Sequence, residues 1–217
     1  MSSLKFKAII FDLDGTLIDS RSDLAAAVNY SLESLGKRKK KEQDIIPNVG
    51  NGLEKLLTDV FGKISVSELS KAISFFNEYY AHHCLDKTKL YDGVFEFISE
   101  NKSEIVFSVV TNKPFYFSEK ILGHFFPEGD FPVIVGGDST PYKKPYPEPV
   151  LHALRSLNLS NQDVLMIGDG EQDILAAKAA GVKIGLVTYG FGFKKEMLTM
   201  NPDFVFTNLA EVKEILT

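Results

Sequence analysis

Apolar residues along this chain come in short, unbroken clusters. FKAIIF (6–11), IVFSVV (105–110), PVIVG (132–136), VLMIG (164–168), VKIGLV (182–187) and DFVF (203–206) are rich in Val, Ile and Phe and show no polar alternation. Continuous runs of this kind suit strands buried on both faces of a parallel sheet. Helical patterns separate most of them. PEPVLHALRSLNL (147–159) sets Val150, Leu151, Leu154 and Leu157 along one side, and QDILAAKAAG (172–181) does the same with Ile174, Leu175 and Ala179 before a stop at Gly181. Strand-helix alternation predicts right-handed crossovers and a doubly wound α/β sheet.

The interval from Ser20 to Lys89 breaks this rhythm and contains no convincing strand. SDLAAAVNYSLESLG predicts a helix from Ser22 to Gly36, GNGLEKLLTDVFG (50–62) a second, and SVSELSKAISFFNEYYAHHCL (65–85) a third and longer one. The expected organisation is therefore an α/β core over residues 1–19 and 90–217, with an inserted all-helical cap over 20–89. The linkers are expected near Asp19–Arg21 and Lys89–Gly93.

Composition narrows the partners. At 217 residues and 44% hydrophobic, the chain can bury a sizeable core, and its formal net charge of −5 offers no overall footprint for nucleic acid or an anionic membrane. The basic run Lys37–Lys41 reads as a solvated turn after a helix-ending glycine. The lone cysteine, Cys84, excludes an internal disulfide framework and reads as a buried helix residue. His82 and His83 are adjacent, so on a helix they point about 100° apart, a poor start for a metal site. No secretory signal or bilayer-spanning run is visible, and a cytoplasmic protein is the expectation.

Candidate chemistry lies directly after the apolar runs, because ligands of open α/β sheets bind at the carboxyl ends of the strands. Asp12 and Asp14 follow the first run, Thr111, Asn112 and Lys113 the second, Gly136 to Asp138 and then YKKPYPEP the third, and Asp169 and Asp173 the fourth. Several carboxylates cannot share a crevice without a cation, since like charges raise one another's pKa. A ligand set of oxygens with no His or Cys suits Mg²⁺, which keeps waters and phosphate oxygens in its shell. The lysine and threonine then serve as phosphate donors, one acid as a nucleophile towards phosphorus, and the acid one residue on as general acid and base. The Asp-x-Asp-Gly-Thr stretch could instead cap a turn or open a calcium loop, but Leu17 and Ile18 fit a calcium loop badly.

In order and content, these four stretches resemble the motifs of the haloacid dehalogenase-like superfamily, most closely its phosphatases. DLDGTLIDS (12–20) is similar to the first motif, which implies Asp12 as nucleophile and Asp14 as acid/base that also offers its backbone carbonyl to Mg²⁺. VVTNK (109–113) is similar to the second, implying Thr111 and the Asn112 backbone on phosphate. KKPYPEP (143–149) is similar to the third, with Lys144 as the match and Lys143 as second choice. IGDGEQDI (167–174) is similar to the fourth, implying Asp169 and Asp173 on the metal, with Gly170 where Ser or Thr is common.

VGNG (49–52), TNKP (111–114) and the GGDS…KPYPEP stretch are similar to the phosphoglycolate phosphatase-like branch. The resemblance implies a Mg²⁺-dependent hydrolase of a small phosphate ester, with 2-phosphoglycolate as leading substrate. A sugar-phosphate mutase and a non-catalytic phospholigand-binding protein stand as alternatives. In the cap, Gly50, Asn51, Gly52 and Lys55 are expected to face the core site, at a helix start whose free N–H groups can meet an anion.

Overall fold

The run AIIF forms β1 (Ala8–Phe11), and all four residues are buried because the strand lies in the middle of a six-stranded parallel sheet. The computed structural model describes residues 6–216. β1 pairs with β4 (Val106–Val110) on one side and β6 (Val164–Gly168) on the other, in registers that set Ile10 opposite Ser108 and Met166. β5 (Val133–Val135), β7 (Lys183–Val187) and β8 (Phe204–Phe206) complete the order β5-β4-β1-β6-β7-β8. The six strands are the six apolar runs.

Strand periodicity divides the core in two. Ile9, Phe11, Phe107, Val109, Leu165 and Ile167 join one cluster, shared with α5 (Val94–Asn101) and α6 (Phe115–Phe125). Ala8, Ile10, Val110, Val164, Met166 and Ile184 join the other, shared with α7 (Glu148–Leu157) and α8 (Glu171–Ala180). The expected apolar side of α8 is corrected here. Leu175 and Ala179 are exposed, and the helix instead buries Asp173, Ile174, Ala176, Ala177 and Ala180. Its rotation is set by Asp173, which must face the strand ends, and residues three, four and seven positions on share that face.

Residues between β1 and α5 form a helical block. β2 (Ile18–Asp19) and β3 (Lys89–Leu90), too short to leave a pattern in the sequence, pair antiparallel where the chain enters and leaves it. Between them lie α1 (Arg21–Ser34), α2 (Glu42–Ile45), α3 (Leu53–Phe61) and α4 (Val66–His83). A capping box starts α4: Glu68 N–H donates to Ser65 Oγ at 3.2 Å, and Ser65 N–H donates to the Glu68 carboxylate at 3.0 Å. α1 and α4 pack together through Leu24, Ala27, Val28 and Leu32 against Ala72, Phe76 and Tyr80. The buried carboxylate of Asp23, near the start of α1, accepts from Lys87 N–H, Thr88 N–H and Thr88 Oγ1 at 2.7–3.1 Å, fastening the two chain crossings together. In the basic run, Lys39 pairs with Glu33 at 2.8 Å, Lys37 lies over the Phe61 ring and Lys40 donates to the Val60 carbonyl. Cys84 is buried just beyond α4. His83 Nδ1 lies 2.8 Å from Asp86, and its ring stacks on Tyr79. No described helix is long and apolar enough to cross a membrane.

Candidate active site

β1 sits where the chain order of the sheet reverses, between β4 and β6, and a crevice opens there beyond the strand ends. Asp12 follows β1 directly, and its N–H donates to the Ile167 carbonyl at 2.9 Å, extending the ladder and fixing the side chain's direction. Gly15 then turns the chain with φ of 87°, and a Cβ built there would come within 2.0 Å of Asp169 Oδ2. The Gly in Asp-x-Asp-Gly is thus required twice, by its left-handed backbone and by the carboxylate lying against it. Asp169 follows β6 and accepts from Gly192 N–H at 2.7 Å, while Asp173, in the first turn of α8, accepts from Gly170 N–H at 3.0 Å.

Asp12, Asp169 and Asp173 each offer a carboxylate oxygen within 4.8 Å of the others. Lys144, arriving from the loop after β5, lies 2.8 Å from Asp12 Oδ1 and 2.6 Å from Asp173 Oδ1, and donates to the Val110 carbonyl at 2.6 Å. Burial raises Asp12 to about 6, reinforced by the charges of Asp173 and Asp14 and opposed by Lys144. Burial, then Asp12 and Asp173, hold Asp169 well above the usual carboxylate range. Burial works against the Lys144 ammonium, but Asp12 and Asp173 outweigh it and raise the group. Three carboxylates facing one ammonium leave two negative charges, so the oxygen-only set fits a hard dication such as Mg²⁺.

Thr111 and Asn112 follow β4. Thr111 Oγ1 accepts from Lys113 N–H at 3.2 Å, which leaves its own proton to donate. Asn112 exchanges two hydrogen bonds with the Lys144 backbone, at 2.8 and 2.9 Å, and holds that loop in place. Its Nδ2 also donates to the Gly50 carbonyl at 2.8 Å. Lys144, the family match, is buried in the crevice; Lys143 lies instead beside Gly52, where a Cβ would stand 3.1 Å from its Nζ.

Asp14 is not one of the metal-type trio. Its carboxylate accepts from Ser20 Oγ, and both its oxygens lie 3.0 Å from Lys113 Nζ. Lys113 also donates to Tyr80 Oη at 2.8 Å. Burial disfavours the Lys113 ammonium, but the charge of Asp14 and contact with Tyr80 outweigh it and raise the group.

A cavity of about 200 Å³ lies between the strand ends and the helical block. Asp12, Asp14, Thr111 and Lys144 line it from the sheet side, and Leu24, Leu56, Phe76 and Tyr80 from the helices. Gly50, Asn51 and Gly52 border it too. Gly52 precedes α3 with φ of 86°, and Gln172 Nε2 donates to Asn51 Oδ1 at 2.9 Å.

Lys55 does not join them, which corrects the expectation. Its ammonium pairs with Asp59 at 2.5 Å and its side chain is 57% exposed. Leu53 and Leu56 face the cavity, and Lys55, two residues past Leu53, is turned about 200° around the helix axis. Tyr80 and Ser20 were missed. Tyr80 falls in the apolar stripe Ala72-Phe76-Tyr80, where a tyrosine reads as core, and nothing in the sequence pairs it with Lys113.

The haloacid dehalogenase-like hydrolase family model matches residues 9–187. A phosphoglycolate phosphatase of Haemophilus influenzae (strain 86-028NP) is 34% identical over 98% of this chain and 99% of its own length. One from Psychrobacter arcticus is 37% identical over 96% and 94%. A solved structure from Haemophilus somnus 129PT, described as a predicted phosphoglycolate phosphatase, superimposes with a TM-score of 0.91 at 30% identity, covering 98% of this chain and 99% of that one.

Proposed function

The chain belongs to the haloacid dehalogenase-like hydrolases and is a phosphatase, and from that premise we propose that it hydrolyses a small phosphate monoester through a phosphoryl group carried on Asp12. The observation that carries this reading is the division of labour between the two acids. Asp12 lies 2.8 Å from the Lys144 ammonium, in the crevice that Thr111 also lines. Asp14, two residues on, is held apart by Lys113 and Ser20.

An oxygen of Asp12 attacks phosphorus while the bond from phosphorus to the ester oxygen breaks. Lys144 and Thr111 donate to the phosphoryl oxygens, whose charge would otherwise repel a carboxylate nucleophile. Asp14, entering this step protonated, gives that proton to the departing ester oxygen, which leaves as an alcohol. Asp14 then takes a proton from water, whose oxygen attacks phosphorus, releasing inorganic phosphate and restoring the Asp12 carboxylate. Asp12, Asp169 and Asp173 would hold Mg²⁺, which would supply positive charge opposite the transferring group.

The helical block acts as a lid over this chemistry, moving about the β2–β3 pair. It admits small esters and excludes bulk water during the first transfer. 2-Phosphoglycolate is the leading substrate, since the relatives compared above carry that activity in their names. The test is phosphate release across a panel of small esters, with and without Mg²⁺. Turnover that requires the metal and is greatest on 2-phosphoglycolate is expected. Isomerisation of a hexose bisphosphate without phosphate release would replace this reading with a mutase.

A further inference from the structure

Two of the groups around Asp14 belong to the helical block, and neither has a part in the chemistry described so far. Ser20, which donates to Asp14 Oδ1, is the residue that precedes α1. Tyr80 lies in the last turn of α4, and its hydroxyl is 2.8 Å from Lys113 Nζ, the ammonium that lies 3.0 Å from both Asp14 oxygens. The same ammonium stands 4.7 Å from the centre of the Tyr80 ring. With the block seated, Lys113 and Tyr80 are both buried, so the contact between them is shielded from water. Phe76 stacks on the Tyr80 ring at 5.1 Å and Phe117 meets it edge-on at 5.0 Å, which leaves the hydroxyl one direction. Phe76 comes from the block and Phe117 from α6 of the sheet layer, so the ring is fixed only where the two are in contact.

We infer that Lys113 and Tyr80 are positioning residues that set Asp14 for proton transfer only while the helical block is seated on the strand ends. The inference rests on the phosphatase reading and extends it. With the block displaced, Lys113 loses both the hydroxyl acceptor and the ring face, and Ser20 moves with the start of α1. Asp14 is then free to rotate. Asp12, held by the β1 ladder and Lys144, keeps its place. Proton delivery is thereby tied to closure, while the nucleophile is ready in either state.

Tyr80→Phe tests this by removing one oxygen and keeping the ring. The readouts are kcat and KM on 2-phosphoglycolate, whose alkoxide needs a proton, and on an aryl phosphate, whose leaving group does not. A fall in kcat of about tenfold on the alkyl ester and less than about twofold on the aryl ester is expected, with KM unchanged. Combined with Asp14→Asn, Tyr80→Phe should add no further loss, since both act on the same proton transfer. Lys113→Met, a second variant of similar length, should give the same split between esters with a larger loss. Equal losses on both esters, full additivity with Asp14→Asn, or an unchanged kcat would overturn the inference. Absence of wild-type phosphate release from both esters would overturn the phosphatase reading as well, whereas wild-type turnover with additive losses overturns this inference alone.

Discussion

The strand ends and the helical block contribute to one cavity by different means. At the strand ends, charge is concentrated on backbone that the sheet holds from both sides: Asp12 and Asp169 follow strands paired with two neighbours each, and Lys144 ties Asp12 to Asp173. On the block, the cavity wall is mostly apolar, and its polar attachments to the sheet layer include single hydrogen bonds from Asn112 to Gly50, from Gln172 to Asn51, from Lys113 to Tyr80 and from Lys120 to the Ala81 carbonyl. A site built this way keeps its reacting groups rigid and lets the enclosing surface move. Substitutions in the first region should therefore act on the chemical step, and those in the second on binding or on closure.

The largest effect is expected at the nucleophile. Asp12→Asn should lower kcat by roughly a thousandfold or more on every ester, with the circular dichroism spectrum unchanged. A loss confined to poor leaving groups would erase the distinction between the two acids.

Metal removal comes next. Chelation should abolish turnover and Mg²⁺ should restore it, and Asp169→Asn should raise the Mg²⁺ concentration needed. The metal-free protein carries a pH signature. Asp12 has its folded pKa raised to about 6, and Asp169 is raised too, so the folded state favours their protonated forms. For Asp12 this stability is present below its unfolded pKa of about 4 and lost as pH rises through about 6, and Asp169 acts in the same direction. A bound cation reverses this, because it binds the ionised carboxylates. The rise in melting temperature on adding Mg²⁺ should therefore be greater at about pH 7.5 than at about pH 5. A pH-independent shift would place the ion elsewhere.

Asp14→Asn should cost about a hundredfold on 2-phosphoglycolate and much less on an aryl phosphate, measured as kcat on each. The smallest effects belong to the block. Gly52→Val puts a branched residue at a φ of 86° and a Cβ 3.1 Å from Lys143 Nζ, so it should raise KM on small esters by about tenfold through displacement of the loop. Gln172→Ala, which removes one hydrogen bond to Asn51, should raise KM only about threefold. A change in kcat with KM unaffected in either variant would mean that this loop acts on the reaction itself.

The same contrast explains how much was legible in the sequence. The strands were readable because full burial leaves no polar alternation, and the acids were readable because each directly follows such a run. Lys113, next to Thr111 and Asn112, was in view for the same reason, but its partner was not. Tyr80 is 33 residues from Lys113 in the chain, on a helix whose stripe is equally well explained as core. Lys55 was misread because a cation near a helix start suggests an anion site, and only the rotation of α3 shows which side it takes. Leu175 was misread because apolar character alone does not reveal that a buried carboxylate, Asp173, sets the face of α8. The β2–β3 pair was invisible because two-residue strands carry no periodicity.

The central claim is that phosphorus passes through Asp12. Turnover quenched in acid before the first cycle is complete, followed by digestion and fragment-level mass spectrometry, locates the phosphoryl group directly. The account predicts an acyl phosphate on Asp12 that is absent from Asp12→Asn and disappears from the wild type when substrate is exhausted. A phosphoryl group on any other side chain, or single-turnover release of phosphate with no protein-bound phosphorus at any time, would contradict it.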